Sequence, residues 1–331
     1  MRNSLRILAM GVALLALPGV TVAKGIKEPL RDGYYQALKG KKVAFLPGAM
    51  AMDLAIGWLA GLKSELEPQG VEIVVRDPNF NIQAGAQALT QLIAEKPDVI
   101  VVHNPDVTTY AKLIKQAEAN GILIVQINMA SLQKSTAYVG VDWVEMGAVQ
   151  ARHVVEACKG KSGKIAIVQG DLTAAASAYT MSGIESVLAE NPDIKVVSNQ
   201  SASWQSDKAK SITQTVLKQN PDLCGIIGFW DNMDRGTAAA VDEAGLSDQV
   251  YVATSGGGET KAACDMVKSG AYDLNVVYSV PNQGANLAST IKYLLSAGVK
   301  PGEISGQMYT TLTPVTAANA GDEGICWTMK Q

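Results

Sequence analysis

Histidine is nearly missing from this sequence: His103 and His153 are the only two among 331 residues, and neither has a second imidazole four positions away. The helical His pair of a zinc hydrolase is thereby excluded. There is no Gly-x-Ser-x-Gly elbow to expose a nucleophilic serine, and no Gly-rich loop ending in Lys-Ser/Thr to cradle phosphates. No pair of carboxylates stands apart from the rest as an acid and a base. Basic charge is short as well, with 28 Lys+Arg against 31 Asp+Glu, which argues against a nucleic-acid footprint. Beyond the N-terminus no apolar run reaches the roughly 20 residues of a membrane span. Only 5% of residues are Phe, Trp or Tyr, so the position of each ring is informative. Cysteines number four: Cys158, Cys224, Cys264 and Cys326. Their spacing fits neither a zinc knuckle nor a redox pair, and in an oxidising compartment they can pair in three ways or remain buried thiols.

What is present begins with Arg2 and Arg6, an apolar run, and the small residues of Thr21-Val22-Ala23 ahead of a cut after Ala23. Residues 1–23 therefore read as a secretory signal, with no cysteine at the cut to carry lipid. Its removal takes away two Arg and no acid, moving the net charge from -3 to about -5. A soluble exported chain is expected, with residues 24–40 a short helical or irregular lead-in where Tyr34 and Tyr35 pack.

From residue 42 onward, continuous apolar runs alternate with segments of helical period. Strands are expected at 42–46, 71–75, 99–102, 122–127 and 137–142, with helices at 51–67, 82–96, 107–120 and 144–158. After the turn at Lys159–Gly163 the plan restarts with KIAIVQG, KVVSNQ, CGIIGFW, VYVATS and NVVYSV. Helices are expected there near 175–189, 207–219, 233–245, 258–269 and 285–297, and an extended segment, QMYTTLT, closes the chain. Apolar strands between amphipathic helices mean parallel sheets covered on both faces, an α/β fold. The length allows two lobes, and with no low-complexity linker the break at 142–163 is a tight crossover about which they can hinge.

Ligands of such folds sit beyond the carboxyl ends of the strands. The first such bend reads FLPGAMAMDLAIGWLAGLK, where Pro47 removes a donor from any anion nest and the glycines are wrongly spaced for a dinucleotide. Met50 and Met52 are expected there as soft wall residues, or else as core, and Asp53 as a ligand contact or, on the plainer reading, a helix cap or a simply exposed carboxylate. Trp204 in SASWQSDK and Trp230 in GFWDNMD stand at further strand ends, the latter followed by Asp231, Asn232 and Asp234. A ring beside carboxylate and amide groups suits a hydroxyl-rich ligand; the plainer reading is a packed ring and a helix cap. Asn128, Asp142, Trp143 and Ser255 belong to the same rim, although Gly256 to Gly258 can be a simple turn. His103 and His153 are expected to be packed or exposed, not metal-bound.

Taken in order, VAFLPG, DVIVVHNPD, ILIVQIN, YVGVDWVEMG, KIAIVQG, GFWDNMDRGTAAAV and VYVATSGGG resemble the periplasmic solute-binding proteins of ABC transporters, of the ribose, galactose and xylose type. The resemblance runs from about 41 to 313. It implies two Rossmann-like lobes with parallel sheets, joined by a three-crossing hinge with the ligand cleft between them. Lobe one would comprise 41–143 and 281–306, and lobe two 144–280 and 307–331. The family's paired aromatics fall at Leu54 and Ala55, its preceding polar residue at Met52, and its Asp-Arg pair at Asn128 and Met129. An arginine of lobe two is replaced near Ala178 and Tyr179, its next aromatic is kept as Trp204, its Asn becomes Asp231, and its Asp becomes Ser255. The hinge-side polar residue falls close to Tyr278 and Ser279, extending to Asn282 and Gln283. Since all four cysteines lie in or near lobe two, the implied pairing is Cys158 with Cys326 and Cys224 with Cys264.

The function implied is reversible capture of a small carbohydrate, polyol or modified sugar in the periplasm, followed by delivery to a permease in the inner membrane. The protein would be a monomer, with no cofactor, metal, chemistry or nucleic-acid partner. A DNA-reading module has no room in residues 24–40. Two missing arginines point to a smaller or less hydroxylated ligand, since charged, preorganised donors hold sugar hydroxyls best. A less polar compound, or a sensor that presents its ligand to a receptor, are the alternatives.

Overall fold

The computed structural model describes residues 28–328; the expected export signal, residues 1–23, lies outside them. Helix α1 (Pro29–Leu38) occupies most of the described part of the lead-in. It is followed by β1 (Lys42–Leu46), α2 (Asp53–Leu66), β2 (Glu72–Val75), α3 (Ile82–Glu95), β3 (Val99–Val102), α4 (Ala111–Ala119), β4 (Leu123–Ile127) and β5 (Ala137–Gly140). The second run is α5 (Trp143–Cys158), β6 (Lys164–Gln169), α6 (Ala175–Ala189), β7 (Lys195–Ser201), α7 (Ser206–Gln219), β8 (Gly225–Gly228), α8 (Asp231–Glu243), β9 (Tyr251–Gly256), α9 (Thr260–Lys268) and β10 (Leu274–Tyr278). Then come α10 (Val280–Ser296), β11 (Gly306–Tyr309) and β12 (Leu312–Val315).

Two six-stranded sheets form, in the orders β11-β5-β4-β3-β1-β2 and β12-β10-β9-β8-β6-β7. Every pairing is parallel except β10 with β12. The VIVV of β3 and LIVQI of β4 are buried along their whole length, as strands covered on both faces must be. The edge strand β7, KVVSNQS, is mostly exposed and correspondingly polar. Strand order reverses at β1 and at β6, so each sheet opens a crevice beyond those two strands.

Helix pairing assigns the remaining pieces. A Cβ on Gly61 of α2 would stand 2.6 Å from the Gly284 Cα of α10, so α10 lies directly on α2 and belongs with the first sheet. In the other half a Cβ on Gly183 of α6 would meet Val144 O of α5 at 1.9 Å, so bare glycine is what lets those helices touch. The chain thus passes between the halves at three places: β5 to α5, β10 to α10, and β11 to β12.

Packing corrects several expectations. QMYTTLT is not one segment: β11 pairs with β5 in the first sheet and β12 with β10 in the second. The first half therefore reaches Tyr309, past the expected boundary at 306. Helix α4 starts later than 107 because Asp106 accepts the Thr108 and Thr109 N–H groups in a turn of its own. Helix α10 starts earlier than 285, with Ser279 accepting Asn282 N–H and a proline in its first turn. The disulfides are Cys158–Cys224 and Cys264–Cys326, not the implied pairs. Helix α5 lies along β8 and β9, which brings its last residue beside the start of β8, with Cα atoms 5.6 Å apart. Cys326 is left to pin the C-terminal segment to α9.

Candidate functional site

A cleft of about 480 Å³ opens between the two halves, at the carboxyl ends of both sheets. The bend after β1 contributes Gly48, Met52 and Leu54, the segment after β3 contributes His103 to Pro105, and the end of β4 contributes Asn128 and Met129. Facing them are Asp171 and Ala176 after β6, Trp204 after β7, and Phe229 and Trp230 after β8. Two rings at the crossings, Trp143 and Tyr278, close the hinge side and meet edge to face at 5.6 Å. No lysine or arginine stands among the described residues that line it.

Its aromatic walls are held by unusual backbone. Asn79 and Phe80, ahead of α3, have φ of 48° and 62°; Ser203 and Trp204, ahead of α7, have 49° and 61°. These are equivalent loops of the two halves, each presenting one ring in the left-handed region that bulky residues normally avoid. Such conformations cost about 1–3 kcal/mol and persist where their surroundings hold them. Phe80 N–H donates to Gly48 O, tying its loop to the first bend. The Trp204 ring lies on Gly170, where a Cβ would come within 2.1 Å of it, and meets Trp230 edge to face at 6.4 Å. Phe80, 63% exposed, stands at the open rim.

The polar equipment sits mainly in the first half. Asn128, with φ 60°, offers its backbone carbonyl to Trp143 Nε1–H and to Tyr138 O–H, fixing the hinge rings. Its side-chain oxygen accepts from Gln283 Nε2, and Gln283 Oε1 accepts from Trp58 Nε1. Asn104 Nδ2 donates to Gln126 Oε1 and to Met129 O, both at 2.8 Å, leaving Oδ1 without a partner. His103 is 6% exposed and neither ring nitrogen has a partner; burial pulls its pKa down to about 4, so the imidazole is neutral.

Below the cleft the halves meet through carboxylates. Asp53, at the start of α2, accepts Leu54 N–H with one oxygen and, with the other, Glu259 N–H from the opposite half at 2.9 Å. Its charge occupies the helix terminus where an anion would otherwise be drawn. The Gly256–Gly258 run is more than a turn. A Cβ on Gly256 would lie 2.0 Å from Asp231 Oδ2, and one on Gly258 2.0 Å from Asp53 Oδ2, so bare backbone seats both carboxylates. Burial, and then the charge of Asp53, push Asp231 up to about 7. Burial also raises Asp234 to about 7, although Thr254, Thr237 and Trp230 N–H all donate to it.

Of the residues singled out in the sequence, Met52, Leu54, Asn128, Met129, Trp143, Trp204, Trp230 and Tyr278 come together on the wall. The others stand elsewhere. Met50 N–H donates to Asp77, Asp142 caps α5 through Glu145 N–H, and Tyr179 lies partly buried on α6. Asp53 and Asp231 lie beneath the cleft at the contact between halves, and Ser255 Oγ is spent on Phe229 O. Phe80, His103, Asn104 and Tyr110 line the cleft but were not singled out as contacts. Phe80 had one available signal: DPNFN occupies the same strand-to-helix position as SASWQ. Among the described residues no group of three or more His, Cys, Asp or Glu is placed to hold a metal.

Residues 43–299 match the family described as the periplasmic binding protein domain. The xylitol-binding protein of Mycolicibacterium smegmatis is 27% identical over 214 residues, 64% of this chain and 60% of that protein. The D-allose-binding periplasmic protein of Escherichia coli is 29% identical over 180 residues, 52% of this chain and 57% of its own. The aligned stretches thus span less than two thirds of both relatives. Among solved structures, an ABC transporter periplasmic solute binding protein from Actinobacillus succinogenes with bound D-allose is similar at TM-score 0.73 and 26% identity, covering 85% of this chain and 99% of that one. The Caulobacter myo-inositol binding protein, at TM-score 0.76 and 20% identity, covering 84% and 94%, shares the fold.

Proposed function

Because the chain belongs to the periplasmic binding protein domain family, we propose that it is the ligand-capturing component of an ABC importer, closing its lobes on a small neutral carbohydrate or polyol. The observation that carries this reading is the interlobe cleft, with rings from both halves facing a space of about 480 Å³. Flat rings cover the C–H faces of a cyclic polyol, while side-chain amides and imidazole meet its hydroxyls. Family membership supports capture without chemistry. The relatives named for xylitol and D-allose support the ligand class. Export with cleavage after Ala23, residence in the periplasm as a monomer, and delivery to an inner-membrane permease complete the proposal. A less hydroxylated ligand of similar size is the second reading, favoured by the wholly uncationic, ring-rich wall.

A thermal-shift panel of xylitol, D-allose, D-arabinose and myo-inositol, with benzoate and a sugar phosphate as anionic controls, tests this directly. A compound that binds only the folded state raises the midpoint. At least one neutral polyol is expected to do so, confirmed by calorimetric titration, and the anions are not. A panel in which only the anions act would overturn the reading.

A further inference from the structure

We propose that His103 and Asn104 together form the polar anchor of the cleft, selecting a neutral ligand that presents a hydroxyl or N–H donor beside a hydrogen-bond acceptor. The inference rests on the capture function proposed above and narrows its ligand. Both side chains line the cleft, and both are nearly sealed from water, 6% and 0% exposed. Three of their polar atoms have no protein partner: His103 Nδ1, His103 Nε2 and Asn104 Oδ1. Buried groups left in that state cost about 1–3 kcal/mol each, which is why folded proteins hold few of them.

Neighbouring contacts fix what these atoms can offer. Asn104 cannot turn its amide over without losing two bonds at 2.8 Å, to Gln126 Oε1 and Met129 O. Gln126 is held in turn, donating from Nε2 to Gln133 O and Ser135 Oγ. Asn104 Oδ1 is therefore a fixed acceptor. The His103 ring packs tilted against Trp58, centroids 5.2 Å apart, and the Trp58 N–H is already committed to Gln283. Being neutral, the ring offers one N–H donor and one bare nitrogen acceptor. A ligand matching the pair supplies two donors and an acceptor, as two adjacent hydroxyls or an amide beside a hydroxyl do. With no cation on the wall, a carboxylate or phosphate would find acceptors where it needs donors.

His103→Leu and His103→Gln in the full chain test the anchor by two readouts. The first is the ligand-free melting midpoint, which His103→Leu is expected to hold or raise, because it deletes unpaired nitrogens at similar volume. The second is calorimetric affinity for xylitol, D-allose, D-arabinose and myo-inositol. For any of these that wild type binds, His103→Leu is expected to weaken binding about 10-fold or more, with His103→Gln recovering part of the loss. Equal affinity in wild type and His103→Leu would overturn the anchor and leave the capture function standing. A midpoint lowered by several degrees in both variants would overturn it too, by showing a structural role for the imidazole. If none of the four compounds binds wild type, the polyol reading fails, and the midpoints alone decide whether the imidazole is kept for a ligand.

Discussion

Replacing Asp231 by Asn will stabilise the protein above pH 7 and remove one of the two buried carboxylates whose ionisation lowers its stability as pH rises. The carboxyl is 8% exposed, and the charges of Asp53, Asp234 and Arg235 act in its surroundings. Burial first, and Asp53 second, raise its pKa from 3.8 to about 7. An acid whose pKa is higher in the folded state than in the unfolded one costs nothing while both states are protonated. The cost begins as the unfolded state ionises, grows with pH, and levels off once the folded state ionises as well. At ~1.4 kcal/mol per unit the full cost is roughly 4 kcal/mol, of which roughly 3 kcal/mol develops between pH 5 and 8. Asn keeps the acceptor used by Asn232 N–H at 2.8 Å and carries no charge, so the variant gains on wild type by that amount. Urea denaturation of both proteins at pH 5 and pH 8 reads it as a difference of differences, in which His103 cancels because burial alone shifts it in both, while Asp234, which the charge of Asp231 helps to raise, is relieved in the variant and adds to the gain. In either protein alone, His103 acts in the opposite sense, costing stability as pH falls from 6.5 towards 4. Stability curves that run parallel across this range would refute the reasoning.

Phe80→Ala and Trp204→Ala are each expected to weaken binding of an active panel compound by about 5- to 30-fold, since each removes one of two opposed rings. The ligand-free midpoint of Phe80→Ala should stay within a degree or two, because that ring is mostly exposed; unchanged affinity in both folded variants would count against the ring-clamped cleft. Gly183→Ala will destabilise by at least about 2 kcal/mol, because its methyl group lands on the Val144 carbonyl between α5 and α6, and an unshifted urea midpoint would contradict that packing. The double variant Cys158→Ser, Cys224→Ser opens a loop spanning 66 residues and should lose about 4 kcal/mol in denaturant, whereas stability equal to wild type would refute the loop-closure argument.

The parts of the site that could be read in the sequence were those with a local signal. Trp204 and Trp230 stand at strand ends flanked by polar residues, and both line the cleft. Asp231 and Ser255 occupy equally suggestive positions but turn away, because hydrogen bonds and Gly256 offer them buried seats outside the cleft. His103 reads in the sequence as an ordinary strand-end histidine; its packing on Trp58 and its place in a cleft completed by the other lobe join residues distant in the chain, which periodicity does not reveal. Phe80 and Trp204 became a pair only when two loops more than a hundred residues apart proved equivalent.

By itself the sequence determined the α/β plan, because strands buried on both faces must be continuously apolar and the helices between them amphipathic, and both patterns are local. It also determined that the family's two arginines are missing, since Met129 and the Ala178-Tyr179 pair stand where the resemblance places them. Tertiary structure alone decided the cysteine partners, the split of QMYTTLT between two sheets, and which carboxylates face the lobe contact and which side chains line the cleft. Those outcomes depend on which elements pack against one another at glycine contacts such as Gly61 with Gly284, and on hydrogen bonds between residues distant in the chain. No local periodicity encodes such pairings.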